Sequence, residues 1–275
     1  MTRTSSLTVT PAAGALGASV EGLDLRSPLS AGAVEQIQAL LDEHLVLLFP
    51  GQHLDDEQHL AFALCFGAPY VHPLGRMSGR STAGVEHIID SVERPPYQDR
   101  WHTDVSWDFE PPTFGTLRAI EMPSRGGDTL WASAYAAFDA LSPVMRDLIQ
   151  PLDAFHDMGA AKAFVSKAGG DLVARTREQF PGAAFPVIGV HPRTGRRYLN
   201  VNKEFTNHIV GMHPDESAAV LRVLVEQFLN PNVQMRYRWT VGDVAIWDER
   251  CTQHFAVADY MPERREMGRV AVIAR

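Results

Sequence analysis

Residues 101–108 read W-H-T-D-V-S-W-D and place His102 and Asp104 one residue apart. On an extended strand, residues i and i+2 face the same way, so both side chains can reach one cation while Thr103 points elsewhere. Two histidines and one carboxylate occupy one triangular face of an octahedral ion and leave the opposite positions open. That ligand set marks non-haem Fe(II) centres that use dioxygen. H-x-D alone is a short pattern that arises often by chance, and a polar pair at a strand end accounts for it as well. Residues 247–269, W-D-E-R-C-T-Q-H-F-A-V-A-D-Y-M-P-E-R-R-E-M-G-R, form a second chemistry-bearing stretch with His254, Arg265 and Arg269. The two arginines are four positions apart, so one strand can aim both inward, whereas Arg264 faces the other way as a solvated charge. A guanidinium fork matches a carboxylate bidentately, which lysine cannot do.

Composition bounds the scaffold. The chain has 275 residues, 45% hydrophobic and 21% charged, enough for a full core and compatible with one β-barrel or sandwich domain over 1–275. The net charge of −8, with scattered basic residues, argues against a nucleic-acid partner. Two cysteines, Cys65 and Cys251, do not make a secreted disulfide framework. Cys65 sits in an apolar run and is expected in the core, Cys251 is expected to pack close to the site, and neither is assigned a metal role. No apolar stretch reaches the length of a membrane span and the N-terminus lacks the pattern of a signal peptide, so a soluble, cytoplasmic protein is expected.

The elements that must position the two stretches follow in order. Residues 7–25 carry short β-like runs broken by glycines. Ser30 can cap a helix with Val34, Ile37, Leu40 and Leu41 on one face. Residues 45–49, L-V-L-L-F, read as a buried strand closed by Pro50-Gly51. Asp55 can cap a second helix with Leu60, Ala61, Leu64 and Cys65 inward and Gly67 at its end. After Y-V-H-P at 70–73 comes a polar loop to Gly84. Strands are expected at 87–91, around the H-x-D triplet, and at 114–122, with a turn P-S-R-G-G-D before Thr129. Residues 133–150 read as helical with a break at Ser142-Pro143. Residues 158–182 are the least patterned and are expected to form an active-site lid. Runs at 187–191 and 197–201 flank a hairpin signature, P-R-T-G-R. A periodic helix at 215–228 directs Ala219, Leu221, Val223, Leu224 and Phe228 inward, and the last strands lie at 233–239, 243–247 and 269–274. The sum is a mainly β chain with flanking helices (α+β), a double-sheet jelly-roll of the cupin class with the metal in the barrel mouth.

W-H-T-D-V, G-G-D-T-L-W-A-S and W-D-x-R-x-T-Q-H-x-A-x-A-D-Y-x-P-x-R-R-x-M-x-R, in that order, resemble the taurine dioxygenase family. These are Fe(II)- and 2-oxoglutarate-dependent oxygenases on a double-stranded β-helix. The similarity runs from about Leu7 to the C-terminus and includes F-P-G-Q-H, Y-V-H-P, H-P-R-T-G-R and G-D-V-A-I-W-D. The resemblance implies His102, Asp104 and His254 as iron ligands, Arg265 with Thr129 as partners of the distal 2-oxoglutarate carboxylate, and O2 as the oxidant. It implies an anion pocket of Arg269, His72 and the Val105 backbone N–H, with Phe205 as an aromatic wall. Gly75, Gln98 and Met158 stand where the taurine-specific member carries tyrosine, asparagine and phenylalanine, so a substrate other than taurine is expected. An aspartate at 104, rather than glycine or alanine, implies hydroxylation and not halogenation.

The expected reaction is hydroxylation of a small organic anion (an alkyl sulfonate, a sulfate ester or an aryloxy acid) with succinate and CO2 as co-products. A tailoring hydroxylase of a carboxylate-bearing metabolite or amino acid uses the same machinery. The intact triad with both arginines argues against a non-catalytic binding protein, and a cupin-type isomerase or hydrolase leaves Arg265 and Thr129 without a purpose. Family members assemble as dimers or tetramers, so a homo-oligomer is expected.

Overall fold

Alternation along the strands decides the architecture. Val46, Leu48, Ala245, Trp247, Leu117, Ala119 and Met267 bury their side chains in one core, while Leu47, Phe49, Val244, Ile246, Phe114, Val270 and Val272 bury theirs in another. A strand can do this only when both faces of its sheet are covered. The computed structural model describes residues 7–77, 79, 84–97, 99–160 and 170–274. In it an eight-stranded sheet runs Thr8–Pro11, Ala18–Glu21, Val46–Phe49, Val244–Asp248, Phe114–Glu121, Arg265–Ile273 and Ala68–Pro69, with Glu86–Asp90 also paired to Arg265–Ile273. Its pairings are antiparallel except between Ala18–Glu21 and Val46–Phe49.

The outer core is closed by helices Ala31–His44 and Asp56–Leu64, capped by Ser30 and by a reciprocal Asp55–Gln58 capping box. Edge-to-face rings, Phe49–Phe62, Phe62–Phe66 and Phe66–Phe114, join helix to sheet. The second helix is rotated from its expected face: His59, Phe62 and Ala63 are buried, whereas Ala61, Leu64 and Cys65 are exposed. The larger Phe62 ring takes the inward stripe, so Cys65 lies on the surface. Gly67 follows because its Cα lies against the Ile273 carbonyl, where a Cβ would come within 2.1 Å of the oxygen.

The inner core lies between the large sheet and a three-stranded sheet ordered Gln234–Tyr237, Thr129–Ser133, Thr252–Ala256. Trp131 of the small sheet meets Trp247 of the large one with ring centroids 5.7 Å apart. The result is a double-stranded β-helix of the jelly-roll type. Helices Ala134–Asp139 and Pro143–Ile149 realise the interrupted helical stretch, each capped by a serine. In helix Pro214–Glu226, Ser217 and Leu224 are buried, while Ala219 is exposed rather than inward. The loop expected after Pro73 opens with a short helix, Pro73–Met77. Of the expected lid, residues 158–160 form a 3-10 turn and Gly170–Gln179 a helix; 161–169 lie outside the described residues.

His59 shows what a buried polar group costs this packing. Its Nε2 lies 2.9 Å from Thr116 Oγ1, and the Thr116 hydroxyl donates to the Val270 carbonyl, so the ring carries its proton on Nε2 and stays neutral. Burial, with the nearby Arg118 charge, pushes it down to about 3. The unfolded chain therefore binds a proton, from about pH 6.5 downward, that the folded chain refuses, and stability falls with pH in that window. His59→Leu is expected to flatten the loss of unfolding free energy between about pH 6.5 and 4, read by urea titration at successive pH values.

Candidate metal centre and adjoining cleft

The backbone brings the ligand residues together before any side chain does. His102 and His254 form an isolated antiparallel bridge: His102 N–H donates to the His254 carbonyl at 3.1 Å and His254 N–H to the His102 carbonyl at 2.8 Å. Their rings lie side by side, centroids 4.2 Å apart. His254 sits in strand Thr252–Ala256, but the H-x-D triplet is not the strand expected of it. Only His102 pairs, and the chain turns at Asp104. Val105 then takes φ 50°, a left-handed conformation that costs a β-branched residue about 1–3 kcal/mol. Thr103 points away, its hydroxyl donating to the Thr252 carbonyl.

Ligand atoms of His102, Asp104 and His254 all lie within 4.8 Å of one another. Asp104 Oδ1 is 3.5 Å from His102 Nε2 and 3.8 Å from His254 Nε2. His102 Nδ1 lies 2.7 Å from the Arg100 carbonyl, which only accepts; Nδ1 therefore carries the proton and Nε2 offers a lone pair to the centre. Burial and the neighbouring His102 push His254 down to about 3, so this ring is neutral. Burial opposes ionisation of Asp104, but Arg269, His102 and His254 outweigh it and hold the carboxyl well below the usual carboxylate range. Two imidazoles and one carboxylate, without a thiolate, are a donor set that fits Fe(II).

A cleft beside the triad is lined by Leu117, Thr129, Trp247, His254, Arg265 and Arg269, with Asp90 and Tyr97 also on its wall. Arg265, Met267 and Arg269 share the inner face of strand Arg265–Ile273, as the even spacing requires. Arg264 stands outside the face, paired with Glu121 and Glu266. Arg265 is buried; its Nε donates to the Gly127 carbonyl at 3.0 Å and its Nη1 lies 3.9 Å from Asp90. The Gly126-Gly127 turn has φ 73° and 72°, and a Cβ on Gly126 would come within 2.2 Å of Asp259, whose Oδ1 accepts the Gly127 N–H. Gly-Gly-Asp and Ala-Asp-Tyr are thus two halves of one cradle for Arg265. Thr129 Oγ1 accepts from Trp239 Nε1 at 2.9 Å, which leaves its own hydroxyl proton for the cleft.

Arg269 is already engaged: Nη1 donates to Asp104 Oδ2 at 2.6 Å and Nη2 pairs with Glu86 at 3.0 Å. Burial works against its charge, but Asp104 and Glu86 over-compensate and raise its pKa. His72 is near enough to feel Arg269 and Asp104, and burial followed by Arg269 takes it down to about 4. Val105 and Met158 pack in one small cluster with Tyr70 and Trp107, and Phe205 packs against it. Phe205 sits edge-on to His102, centroids 6.3 Å apart. Asn202 fixes Phe205 by accepting its N–H, and donates to Ser106 just after the ligand turn. Gln98 lies outside the described residues.

Sequence reasoning passed over two carboxylates here. Glu86 faces Arg269, and Glu249 is fully buried behind Asp104. Burial and the Asp104 charge push Glu249 well above the usual carboxylate range. The signal for Glu249 was its place between Trp247 and His254 in an otherwise buried strand end. A second cluster of potential ligands, His191, Asp248 and Cys251, is also buried. It is already satisfied: His191 Nδ1 accepts from Thr194, its Nε2 lies 3.0 Å from Asp248, and Arg250 grips the same carboxylate.

The family model described as taurine catabolism dioxygenase TauD, TfdA family matches residues 8–271. The chain is 35% identical to an alpha-ketoglutarate-dependent sulfate ester dioxygenase of Pseudomonas putida, over 97% of this chain and 89% of that protein. It is 32% identical to an alkylsulfatase of Acinetobacter baylyi, over 98% and 86% respectively. Among solved structures, a putative alpha-ketoglutarate-dependent taurine dioxygenase from Burkholderia xenovorans superimposes with a TM-score of 0.83 at 31% identity, covering 98% of this chain and 93% of the other. No helix among the described residues is long and apolar enough to cross a membrane. A match of this extent makes the chain a member of the TauD, TfdA dioxygenase family.

Proposed function

We propose that the chain is an Fe(II)- and 2-oxoglutarate-dependent dioxygenase that hydroxylates a small organic anion, with alkyl sulfate esters the foremost class and sulfonates and aryloxy acids next. The observation that carries this reading is the contiguity of the His102–Asp104–His254 triad with a cleft holding Arg265 and Thr129. His102 and His254 offer Nε2 and Asp104 a carboxylate oxygen to the iron, which when bound supplies the activation of dioxygen. Arg265, held by Gly127, grips the distal carboxylate of 2-oxoglutarate together with the Thr129 hydroxyl. Arg269 and His72, with the Val105 N–H, meet the anionic head of the substrate. Met158 and Phe205 bound the rest of it. The expected lid at 158–182 is supported by one link between its described parts: Arg177 of helix Gly170–Gln179 donates to Asp157, just before Met158, at 3.1 Å. The names of the two relatives support sulfate esters in particular.

For such a substrate the stoichiometry closes. An alkyl sulfate hydroxylated at the carbon bearing the ester oxygen becomes a hemiacetal ester that collapses to an aldehyde and sulfate, while 2-oxoglutarate and O2 yield succinate, CO2 and the inserted oxygen atom. Assembly as a dimer or tetramer belongs to the same reading and is checked by light scattering of the purified protein.

The decisive assay follows succinate with Fe(II), ascorbate and 2-oxoglutarate across alkyl sulfates, alkyl sulfonates, aryloxy acids and amino acids, with released sulfate or sulfite read in parallel. Stimulation by alkyl sulfates with stoichiometric sulfate is expected; stimulation by carboxylates alone would overturn the substrate class. His102→Ala or Asp104→Ala is expected to abolish turnover, and near-normal turnover in either sinks the ligand assignment. Arg265→Ala is expected to raise the 2-oxoglutarate KM about tenfold or more, the loss of a charge-assisted pair, and to change the KM of the anionic substrate far less.

A further inference from the structure

We propose that Glu249 is a positioning residue of the metal centre, holding the Asp104 turn and the His254 ring in one register. The role rests on the proposed ligand set. Glu249 is fully buried, and its Oε2 accepts the Asp104 backbone N–H at 3.2 Å. The same oxygen stands 4.0 Å from His254 Nδ1. Both His254 Nδ1 and Glu249 Oε1 are buried polar atoms without a hydrogen-bond partner. His102 has no such need, because its Nδ1 is satisfied by the Arg100 carbonyl.

A histidine that ligates through Nε2 carries its proton on Nδ1 and requires an acceptor there; a buried N–H left unpaired costs about 1–3 kcal/mol. Glu249 Oε2 supplies that acceptor once the gap narrows to a hydrogen-bond length of about 2.9 Å. One oxygen then receives the backbone of one ligand and the ring of another, so neither can shift alone. The sheet is built to admit this side chain. Gly115 lies opposite, and a Cβ there would stand 2.7 Å from Glu249 Oε1 and 2.4 Å from the Trp247 ring. Glu249 is itself anchored by its N–H to the Thr113 carbonyl at 2.9 Å.

The test is Co(II) titration of the full chain, followed by its visible absorption, for wild type, Glu249→Gln and Glu249→Leu. Leucine, which offers no acceptor, is expected to weaken Co(II) binding ten- to a hundredfold and to alter the band shape. Glutamine keeps an oxygen in place and is expected to stay within about threefold of wild type. Thermal unfolding of the metal-free leucine variant is expected at a lower midpoint than wild type, since the buried Asp104 N–H loses its acceptor, whereas the glutamine variant is expected to stay near wild type. Wild-type affinity and band shape in the leucine variant would overturn the role alone; absence of Co(II) binding by wild type would overturn the ligand set with it. Should the leucine variant not fold, imidazole NMR of the Zn(II)-loaded wild-type protein decides. Coordination of His254 through Nε2 with a downfield Nδ1 proton is expected, and coordination through Nδ1 overturns the role.

Discussion

Two backbone hydrogen bonds, His102 N–H to His254 carbonyl and the reverse, join segments 152 positions apart in sequence to make one site. They are the only rung of a ladder: on one side of His102 the chain is a proline-containing loop, on the other a turn through Asp104. A longer pairing would have carried Asp104 along the strand. The single rung instead lets the chain bend after His102, and the unfavourable φ of Val105 brings the Asp104 carboxylate back toward both imidazoles. Strain at a ligand turn is tolerated where the surrounding structure over-determines it. Here Thr103 bonds to Thr252, and Ser106 bonds to Asn202, on either side of the bend.

The electrostatics follow from the same closure. Asp104 is buried and could not remain ionised on its own account; Arg269 stabilises it across the inner face of the large sheet. Arg269 in turn faces Glu86 from the neighbouring strand, so the site holds one guanidinium between two carboxylates. Under the proposed ligand set and anion pocket, a metal ion drawing on Asp104 would weaken its claim on Arg269, and an anion at Arg269 would compete with Glu86. Arg265 is insulated from this exchange. Its partners, the Gly127 carbonyl, Asp90 and the Tyr260 ring, lie at the other end of the cleft.

The two sides of the triad are built from different kinds of element. The Arg265 end is built from the glycine turn, the large sheet and the Trp239–Thr129 hydrogen bond, all close to the inner core. On the other side of the triad, Met158, Trp107 and Phe205 belong to a small cluster outside the cleft, contributed by turns. Phe180 packs on Trp107 and beneath Arg76, which also pairs with Asp108, so this cluster joins side chains of separate segments. Under the proposed function, this is where Gly75 and Met158, which depart from the taurine-specific pattern, would alter specificity while leaving the proposed metal ligands in place.

The sequence by itself determined the donor types, the even spacing of Arg265 and Arg269, the caps at Ser30 and Asp55, and the buried strand read at 45–49, which the structure begins one residue later. Each depends on neighbours a few residues away, and local periodicity carries that information. The motif order was enough to name His102, Asp104 and His254, and the tertiary structure brings all three together. What tertiary structure alone decided are relations between distant segments. A strand was the natural expectation for H-T-D, yet the cross-chain rung at His102 permits only a turn. Cys65 read as core, yet Phe62 and Phe66 claim that face against Phe49 and Phe114. The glycine pair before Asp128 had no stated purpose until Arg265 and Asp259 were seen packed against it. Glu249 looked like one more acidic residue in a motif. Only its burial between Asp104 and His254, from which water is excluded, turns it into part of the site.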